Sequence, residues 1–377
     1  MTEHFDQEID RTRHYSFKWE KYRGQDVLPM WVADTEFRCA EPILQALRER
    51  VDHGLLGYTL PNQYEPGKEA VIRWLKKQHG WQVEPDWIVW NPGVCPAFNV
   101  ACQAYAEPGD KVLVQTPNYP PLLAAPGFNQ MQRVEVNTVE QDGRWMIDLE
   151  QLEKEAADPK AKLLILCNPM NPVGTVLTES ELKQVASICE RNNVVLCSDE
   201  VHCDLVLDEQ ATHIPAGKLD ALSERSVTLM AASKTFNIAG LGTSFAIIPD
   251  AKLRAAFNRA AQGIVPWANV MGLIATEAAF TRCDHWYQDE LTYLRRNRDY
   301  LMKQINQIDG LKLLAPQATF LAWIDASGLG VENPQGWFED KGVGPSPGAD
   351  FGDKDFVRIN FGCPLSHLEE AIRRIKS

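Results

Sequence analysis

The stretch SVTLMAASKTFNIAGLG, residues 226–242, decides the fold. It opens as a short apolar run with β-branched residues, the pattern of a strand buried on both faces. The run ends in Ser233-Lys234-Thr235 and a glycine-containing loop. A lysine just beyond a buried strand is rarely buried unless it is paired or used chemically. The alternative interpretation is an ordinary surface lysine whose ammonium group reaches solvent.

Three earlier apolar runs also end in polar residues. The runs are Lys111–Gln115, Lys162–Cys167 and Asn193–Cys197, and they are followed by Tyr119, Asn171 and Asp199. Sequence of helical length separates each run from the next, which predicts parallel βαβ units. Ligands of such sheets bind at the carboxyl ends of the strands. We therefore expect these three side chains and Lys234 to surround one crevice, where they suit a flat cofactor with a charged ring nitrogen.

Another predicted strand, Asp86–Trp90, runs into a turn that contains Gly93 and then into helix-like sequence at Ala97–Tyr105. A strand, a glycine turn and a helix start together present backbone N–H groups to a phosphate. One glycine is weak support, because many turns of this kind contain one. The turn gains weight because the expected cofactor needs a phosphate anchor.

Size, composition and charge limit the class of protein. With 377 residues, 45% of them hydrophobic and 24% charged, the chain can bury a substantial core, and we expect one large domain with a smaller one. The net charge of -13 argues against a nucleic-acid partner, because phosphate binding needs a basic surface.

The lack of a recognisable targeting signal and the pattern of cysteines both favour a cytoplasmic location. No uninterrupted apolar stretch reaches membrane-spanning length, and the charged beginning MTEHFDQEIDRTR lacks a signal-peptide core. The nine cysteines include no C-x-x-C pair, so we expect reduced thiols. The prediction is a cytoplasmic protein without a membrane partner.

The second half of the chain predicts a separate smaller unit. A long helix near Asp284–Ile308 leads to strands and a helix typical of a small α+β domain. The segment Gly328–Pro347 is rich in glycine and proline, so we expect a mobile surface segment there. The predicted division is an N-terminal arm at 1–45 that packs with the small domain, a large cofactor-binding domain at 46–283, and the small domain at 284–377.

Eight motifs, in order along the whole chain, resemble those of pyridoxal 5′-phosphate enzymes with the aspartate aminotransferase fold. More narrowly they resemble the MalY/PatB group of carbon–sulfur β-lyases, often called cystathionine β-lyases. The resemblance implies an α/β fold of type I, with a mostly parallel seven-stranded sheet and a small α+β C-terminal domain. The motifs are LPMWVADTEF (28–37), GYT (57–59), the turn at 93–95, TPNYPP (116–121), CNPMNPVG (167–174), SDEVHCDL (198–205), SKTFNIAGL (233–241) and FVRINFGCP (356–364).

The resemblance also implies a role for each strand-end residue. Lys234 is similar to the lysine that holds the cofactor covalently and later moves the α-proton of the substrate. Asp199 is similar to the carboxylate that pairs with the ring nitrogen, and Asn171 to the amide that donates to the phenolic oxygen. Tyr119 is similar to the aromatic residue stacked on the ring. Arg358 is similar to the arginine that binds the substrate carboxylate through two hydrogen bonds.

Further site residues follow from the same resemblance. Val94 and Cys95 lie in the expected phosphate-binding turn, and His202 follows Asp199 by three residues, where we expect it to contact the cofactor. Ala33 is expected to contact the substrate. Tyr58 resembles a tyrosine that reaches the phosphate from the other subunit, which implies a homodimer with shared sites. The expected catalytic residues are Lys234, Tyr119 and Tyr58.

Two departures from the family pattern concern the phosphate and the ring. Many aminotransferases carry a hydroxyl residue three before the lysine and an arginine eight after it, where this chain has Ala231 and Gly242. Phosphate binding would then depend more on the 93–95 turn and Tyr58. His202 stands where aminotransferases usually place a tyrosine, which mildly favours a lyase.

Each assignment has a simpler alternative. Asp199 could cap a helix, Asn171 could form an Asx-turn, and Arg358 could be a solvated strand residue. The run of acidic, histidine and cysteine residues at 199–204 also invites a metal-site interpretation, but further ligands at fixed spacing are lacking, so no metal is expected.

The predicted reaction is α,β-elimination on S-substituted L-cysteines such as cystathionine, which gives pyruvate, ammonia and a thiol such as homocysteine. An aminotransferase of the same fold is the first alternative. A regulatory protein that binds pyridoxal phosphate and retains some lyase activity is the second. A small amino acid is the expected substrate in every enzymatic case.

Overall fold

The computed structural model describes residues 3–377, so the first two residues of the predicted N-terminal arm lie outside the described residues. The helices are α1 Phe17–Glu20, α2 Glu41–His53, α3 Glu65–His79, α4 Val94–Tyr105, α5 Pro120–Phe128, α6 Leu149–Ala156, α7 Glu179–Asn192, α8 Asp220–Ser223, α9 Ala251–Ala261, α10 Val270–Arg282, α11 Asp284–Ile305, α12 Pro334–Asp340 and α13 Leu365–Lys376. The strands are β1 Leu28–Pro29, β2 Ile88–Asn91, β3 Lys111–Thr116, β4 Gln132–Gln141, β5 Arg144–Ile147, β6 Ala161–Cys167, β7 Val195–Asp199, β8 Ser226–Met230, β9 Ser244–Ile247, β10 Lys312–Leu313, β11 Leu321–Asp325, β12 Val343–Gly344, β13 Ser346–Pro347 and β14 Phe356–Asn360.

A large mixed sheet has the strand order β2-β9-β8-β7-β6-β3-β4-β5. The neighbours from β8 to β4 pair in parallel, as the βαβ pattern predicts, whereas β9 is antiparallel to both of its neighbours. The sheet has eight strands rather than the expected seven, because β4 turns back into β5 as an antiparallel hairpin. Asp142 and Gly143 form the turn with φ of 54° and 77°, and this Asp-Gly pair is the sequence signal for such a hairpin.

The central strands are buried on both faces, and successive side chains enter different cores. Leu164 of β6 packs in a cluster with residues of α6 and α7. Its neighbour Ile165 packs in a second cluster with residues of α4, α5 and α9. Helices therefore cover both faces of the sheet, which leaves the strand ends as the place for a ligand.

The α7 helix begins with the capping box that the sequence predicts. The Thr178 side chain accepts from the backbone N–H of Glu181, and the Glu181 carboxylate accepts from the backbone N–H of Thr178. Arg144 of β5 holds the same carboxylate with two hydrogen bonds of 2.5 and 2.7 Å. The hairpin is thus tied to the start of α7.

The C-terminal part forms a second sheet of four strands in the order β10-β11-β14-β13. The N-terminal arm meets this part directly, because β1 pairs in parallel with β12. The expectation of a mobile segment at 328–347 is wrong in its local structure, since this segment contains α12, β12 and β13, and Phe338 and Val343 are fully buried. The division at residues 45 and 283 remains a prediction.

Candidate active site

The polar residues that follow four parallel strands line one cavity of about 440 Å³. Asp199 is the last residue of β7, and Tyr119, Asn171 and Lys234 lie three or four residues beyond β3, β6 and β8. Arg358 of β14 closes the cavity from the C-terminal part. The parallel sheet therefore brings together the residues that the sequence predicts to share a crevice.

Lys234 extends from its loop toward the N-terminal arm. Its ammonium Nζ donates a hydrogen bond of 2.7 Å to the backbone carbonyl of Ala33. Burial lowers the pKa of Lys234, opposed by the nearby Asp34 carboxylate and assisted by the Arg358 guanidinium. A lysine with a lowered pKa loses its proton more readily, which suits it to act as a nucleophile and as a base.

A cluster of two cations and two carboxylates holds the arm that carries Ala33. Lys18 is only 2% exposed, and its Nζ lies 2.8 Å from Asp34 Oδ1 and 2.7 Å from Glu36 Oε1. Arg11 contacts the same two carboxylates at 2.8 and 2.9 Å. Because every charge of this cluster has an opposite partner, the arm backbone beside Lys234 is held firmly.

Two asparagines attach the arm backbone to the rest of the site. Asn237, three residues after Lys234, donates from Nδ2 to the carbonyls of Thr35 and Phe37. Asn360 donates from Nδ2 to the carbonyls of residues 32 and 34, both at 2.6 Å. The motif at 28–37 is thus joined by hydrogen bonds to the motifs at 233–241 and 356–364.

Asp199 is 5% exposed and accepts one hydrogen bond, from the backbone N–H of Val201 at 3.2 Å. Burial raises the pKa of Asp199 to about 6, although the Val201 hydrogen bond and the Lys234 charge act in the opposite direction. A buried carboxylate with so few partners has the capacity to bind a cation. The protonated ring nitrogen of the expected cofactor is such a cation.

Arg358 is 4% exposed, and its guanidinium stands at the junction of arm and cavity. It donates to Asn171 Oδ1 at 2.8 Å, to the Trp31 carbonyl at 2.5 Å and to Ser346 Oγ at 3.2 Å. Burial lowers the pKa of Arg358 to about 10, and its Nε has no partner among the described residues. No carboxylate pairs with Arg358 in this part of the chain, so it can receive one from a substrate.

His202 is 2% exposed and lines the same cavity. Burial lowers its pKa well below the ordinary value, and the charges of Lys234 and Arg358 act in the same direction. The imidazole is therefore neutral, and its Nδ1 has no hydrogen-bond partner among the described residues. A buried and unsatisfied ring nitrogen facing a cavity fits a site that is completed by a ligand.

The beginning of α4 lines one part of the cavity, where Val94 and Cys95 follow Gly93 as the predicted phosphate-binding turn requires. Ser233 and Thr243 line the same cavity and carry hydroxyl groups that the sequence analysis did not assign. The hydroxyl of Ser233 stands directly before Lys234 in the sequence, which is a signal that could have been used. Backbone N–H groups at a helix start, together with hydroxyls, fit a phosphate without an arginine.

Tyr119 and Tyr58 differ in their placement. Tyr119 lines the cavity at the start of α5, with its hydroxyl 3.9 Å from Cys95 Sγ, and burial raises the pKa of both groups. Tyr58 is fully exposed and does not line the cavity. Its ring packs against Trp267 with a centroid distance of 6.4 Å. The role of Tyr58 in the site of a partner subunit remains a prediction.

The acidic run at 199–204 divides between two sides of the sheet end. Glu200 faces away from the cavity and accepts from Ser198 Oγ, His213 and the backbone N–H of Ala216, each at 2.8 Å. Asp204 lies on the same rear side. His79, Cys203 and Asp204 have ligand-type atoms within 4.8 Å of one another. The two Asp204 oxygens, however, already accept from His79 and Trp74 at 2.9 Å.

Comparison with known proteins agrees with this geometry. A family described as aminotransferase class I and II matches residues 32–375. The chain belongs to this family. The matched residues include the loop of Lys234 and the strand of Arg358, which the cavity brings together.

Three relatives of this family member share nearly its full length. Cystathionine beta-lyase PatB of Bacillus subtilis is 38% identical over 99% of both chains. The crystal structure of a protein named OvoB is 44% identical, with a TM-score of 0.95 over 99% of this chain and 98% of that chain. Cystalysin from Treponema denticola, solved with a pyridoxal 5′-phosphate cofactor, is 30% identical, with a TM-score of 0.94 over 98% and 97% of the two chains.

Within residues 3–377, no helix of this family member is both long and apolar enough to span a membrane.

Proposed function

We propose that this protein is a pyridoxal-phosphate-dependent carbon–sulfur lyase that acts on S-substituted L-cysteines. The products are a thiol, pyruvate and ammonia. The observation that carries the proposal is the single cavity in which Lys234, Asp199 and Arg358 meet. Full-length similarity to a cystathionine beta-lyase supports this reaction class, and similarity to cystalysin, solved with pyridoxal 5′-phosphate, supports the cofactor.

The residues of the cavity fit the cofactor. Pyridoxal phosphate, when bound, supplies a ring that accepts the electrons left behind when the α-proton is removed. Asp199 would pair with the ring nitrogen, and Lys234 would hold the cofactor covalently. The α4 start and Ser233 would bind the phosphate, since they line the same cavity.

The chain's own residues would orient the substrate and move its proton. Arg358 binds the substrate carboxylate, which places the α-carbon near Lys234 Nζ. Once the substrate amine has displaced it from the cofactor, Lys234 would be free to remove the α-proton, and its lowered pKa favours the unprotonated amine that this step needs. The carbon–sulfur bond then breaks, and the sulfur leaves with the electron pair and takes up a proton to give the thiol. Water hydrolyses the released 2-aminoacrylate to pyruvate and ammonia. The Ala33 carbonyl accepts a hydrogen bond from Lys234 and keeps the amine beside the α-carbon.

An aminotransferase with this fold would remove the α-proton in the same way as a lyase. It would then return a proton to the cofactor instead of expelling the sulfur substituent. A barrier difference of about 1.4 kcal/mol would give a tenfold preference for one outcome. The similarity to the cystathionine beta-lyase PatB favours elimination, as does His202 at the position where aminotransferases usually place a tyrosine. No comparable observation favours a regulatory protein without catalysis.

The homodimer is part of the same proposal. Tyr58 packs against Trp267, and apolar side chains close to these two residues in sequence are also exposed: Leu55 at 68%, Leu56 at 60% and Ile264 at 72%, with Trp267 itself at 59%. A second copy of this chain would cover these groups and bring Tyr58 to its phosphate site. Mixing Lys234→Ala subunits with Tyr58→Phe subunits should restore part of the activity. An active monomer at high dilution would contradict the shared site.

We also propose that the protein is cytoplasmic. All nine cysteines are free thiols in the described part of the chain, as in a reducing compartment. Cell fractionation with an antibody against the untagged protein tests this location, and a protein found only outside the cytoplasm contradicts it.

Product analysis tests the reaction. The purified protein with pyridoxal phosphate and an S-substituted L-cysteine should release thiol, pyruvate and ammonia in equal amounts. Lys234→Ala is the control, and it should release none of them above the background of free cofactor. Formation of a 2-oxo acid that still carries the sulfur substituent would contradict elimination.

A further inference from the structure

One charged residue that lines the cavity has no role in binding the substrate carboxylate or the cofactor. Among the described lining residues the cations are Lys234 and Arg358, and both have roles in the proposed reaction. The carboxylates are Asp199, assigned to the ring nitrogen, and Asp350, which has no role. The unassigned charge of the cavity is therefore negative.

Two aromatic side chains at the cavity mouth also have no role in the proposed reaction. The rings of Phe17 and Trp31 lie 4.8 Å apart at an angle of 58°, and Phe17 is 72% exposed. Trp31 is fixed in place because its indole Nε1 donates to the Lys18 carbonyl at 2.9 Å. The Trp31 carbonyl accepts from Arg358, so these rings stand beside the group that binds the substrate carboxylate.

Asp350 belongs to the same side of the cavity. It lies in the short turn Gly348–Phe351 and is exposed. Within residues 3–377 it forms no ion pair or hydrogen bond. The Phe351 ring of the same turn lies 4.6 Å from the Arg358 guanidinium. Asp350 thus lines the cavity from the same turn that supplies a ring contact to the carboxylate-binding arginine.

Resting on the function proposed above, we propose that Phe17, Trp31 and Asp350 form the subsite for the group attached to the substrate sulfur. Flat apolar substituents bind against the two rings, and cationic substituents bind to Asp350 and to the ring faces. Anionic substituents are disfavoured, because they would meet an unpaired carboxylate, and the described lining residues offer no cation besides Lys234 and Arg358.

The proposed subsite predicts how well cystathionine reacts. The leaving group of cystathionine carries a second carboxylate, which needs a cation beyond Arg358. Lys21 lies 5.2 Å from the Trp31 ring but is paired with Glu339 at 3.2 Å and does not line the cavity. Cystathionine is therefore expected to be a poorer substrate than a cysteine with an aromatic or cationic substituent.

The test compares kcat/KM of the holoenzyme for five substrates that differ in the substituent. They are S-methyl-, S-benzyl-, S-(2-aminoethyl)- and S-(2-carboxyethyl)-L-cysteine and L-cystathionine. The S-benzyl and S-aminoethyl compounds should exceed the S-carboxyethyl compound and cystathionine by about tenfold or more. The S-methyl compound is too small to reach the subsite and serves as the reference.

Variants distinguish an effect of the subsite on kcat/KM from an effect of the leaving group itself. The leaving ability of each thiol is the same in variant and wild type, so only a subsite effect changes the ratios. Asp350→Lys should reverse the ratio between the aminoethyl and carboxyethyl substrates, and Asp309→Lys, an exposed carboxylate outside the cavity, should not. Phe17→Ala should lower kcat/KM for the benzyl substrate about tenfold relative to the methyl substrate. Phe128→Ala, 75% exposed and outside the cavity, is its control.

The two proposals fail in different ways. If wild-type enzyme releases no thiol from any of the five substrates, the proposed lyase function is wrong and the subsite falls with it. If all substrates react but the ratios are the same in wild type, Asp350→Lys and Phe17→Ala, only the subsite is wrong. A wild-type preference for cystathionine that survives both substitutions overturns the subsite as well.

Discussion

Asp199 and Glu200 are neighbours in the chain and both are buried, but they face opposite sides of the end of β7. Asp199 points into the cavity and has one hydrogen bond from the chain. Glu200 points to the rear, where a hydroxyl, an imidazole and a backbone N–H satisfy it. The carboxylate left short of partners is the one placed to bind a ligand, and the satisfied one stabilises the fold.

Asp204 differs from two further cavity residues in the same way. On the cavity side, His202 has an unsatisfied ring nitrogen, and Arg358 has an unsatisfied Nε. On the rear side, Asp204 has a partner for each of its oxygens. Substitutions on the cavity side should therefore change catalysis and can also change stability, whereas substitutions on the rear side should change stability alone.

Asp199→Ala should have the largest effect. Without the carboxylate, the ring nitrogen loses its proton more easily and the ring becomes a weaker electron acceptor. We expect kcat to fall by about 10²–10³-fold, while some cofactor is retained. Steady-state thiol release and cofactor absorbance measure the two quantities. Near-normal turnover would show that the ring does not lie against Asp199.

Asp199→Asn should change the pH dependence of stability in the cofactor-free protein. Burial raises the pKa of Asp199 to about 6, so its favourable contribution to folding is complete below its ordinary value and is lost as pH rises through 6. Between pH 4 and pH 8 the variant should gain about 3 kcal/mol relative to wild type. Urea unfolding at several pH values measures this gain. Parallel stability curves for the two proteins would contradict the buried-carboxylate account.

Glu200→Gln should act on stability alone. The substitution keeps the size of the side chain but removes the charge that faces His213, at a cost of about 2 kcal/mol in the free energy of unfolding. The kcat of the folded enzyme should be nearly unchanged. Urea unfolding and the elimination assay on the same preparation measure both. A loss of kcat comparable to that of Asp199→Ala would contradict the claim that Glu200 acts on stability and not on catalysis.

His79→Ala should have the smallest effect. It removes one of the two partners of Asp204 and leaves the Trp74 hydrogen bond in place. We expect a loss of about 1 kcal/mol in the free energy of unfolding and no change in kcat. Thermal unfolding with and without added zinc measures the loss. A rise in the midpoint on adding zinc to wild type, absent in the variant, would instead reveal a metal site.

Much of this arrangement follows from the sequence. Parallel strands place their carboxyl ends at one edge, so Tyr119, Asn171, Asp199 and Lys234 could be predicted to converge. The capping box at Thr178 was also predicted and confirmed, because its signal lies within four residues. Helix caps and the convergence of residues at parallel strand ends can thus be predicted from the sequence alone.

Other features depend on contacts between distant parts of the chain. Strand alternation says that Asp199 and Glu200 face opposite sides, but it does not say which side carries the cavity. The segment 328–347 has the composition of a loop, yet β12 is ordered by pairing with β1, more than 300 residues away. The position of Phe17 at the cavity mouth likewise depends on how the arm folds back.

The most direct test of the central claim counts turnovers without an amino-group acceptor. The holoenzyme is incubated with excess S-benzyl-L-cysteine and no added 2-oxo acid, and pyruvate is followed over time. An ordinary kcat predicts well over about a hundred pyruvate molecules per site within minutes. A reaction that stops after one equivalent, with the cofactor left in its amine form, would show an aminotransferase and contradict the account.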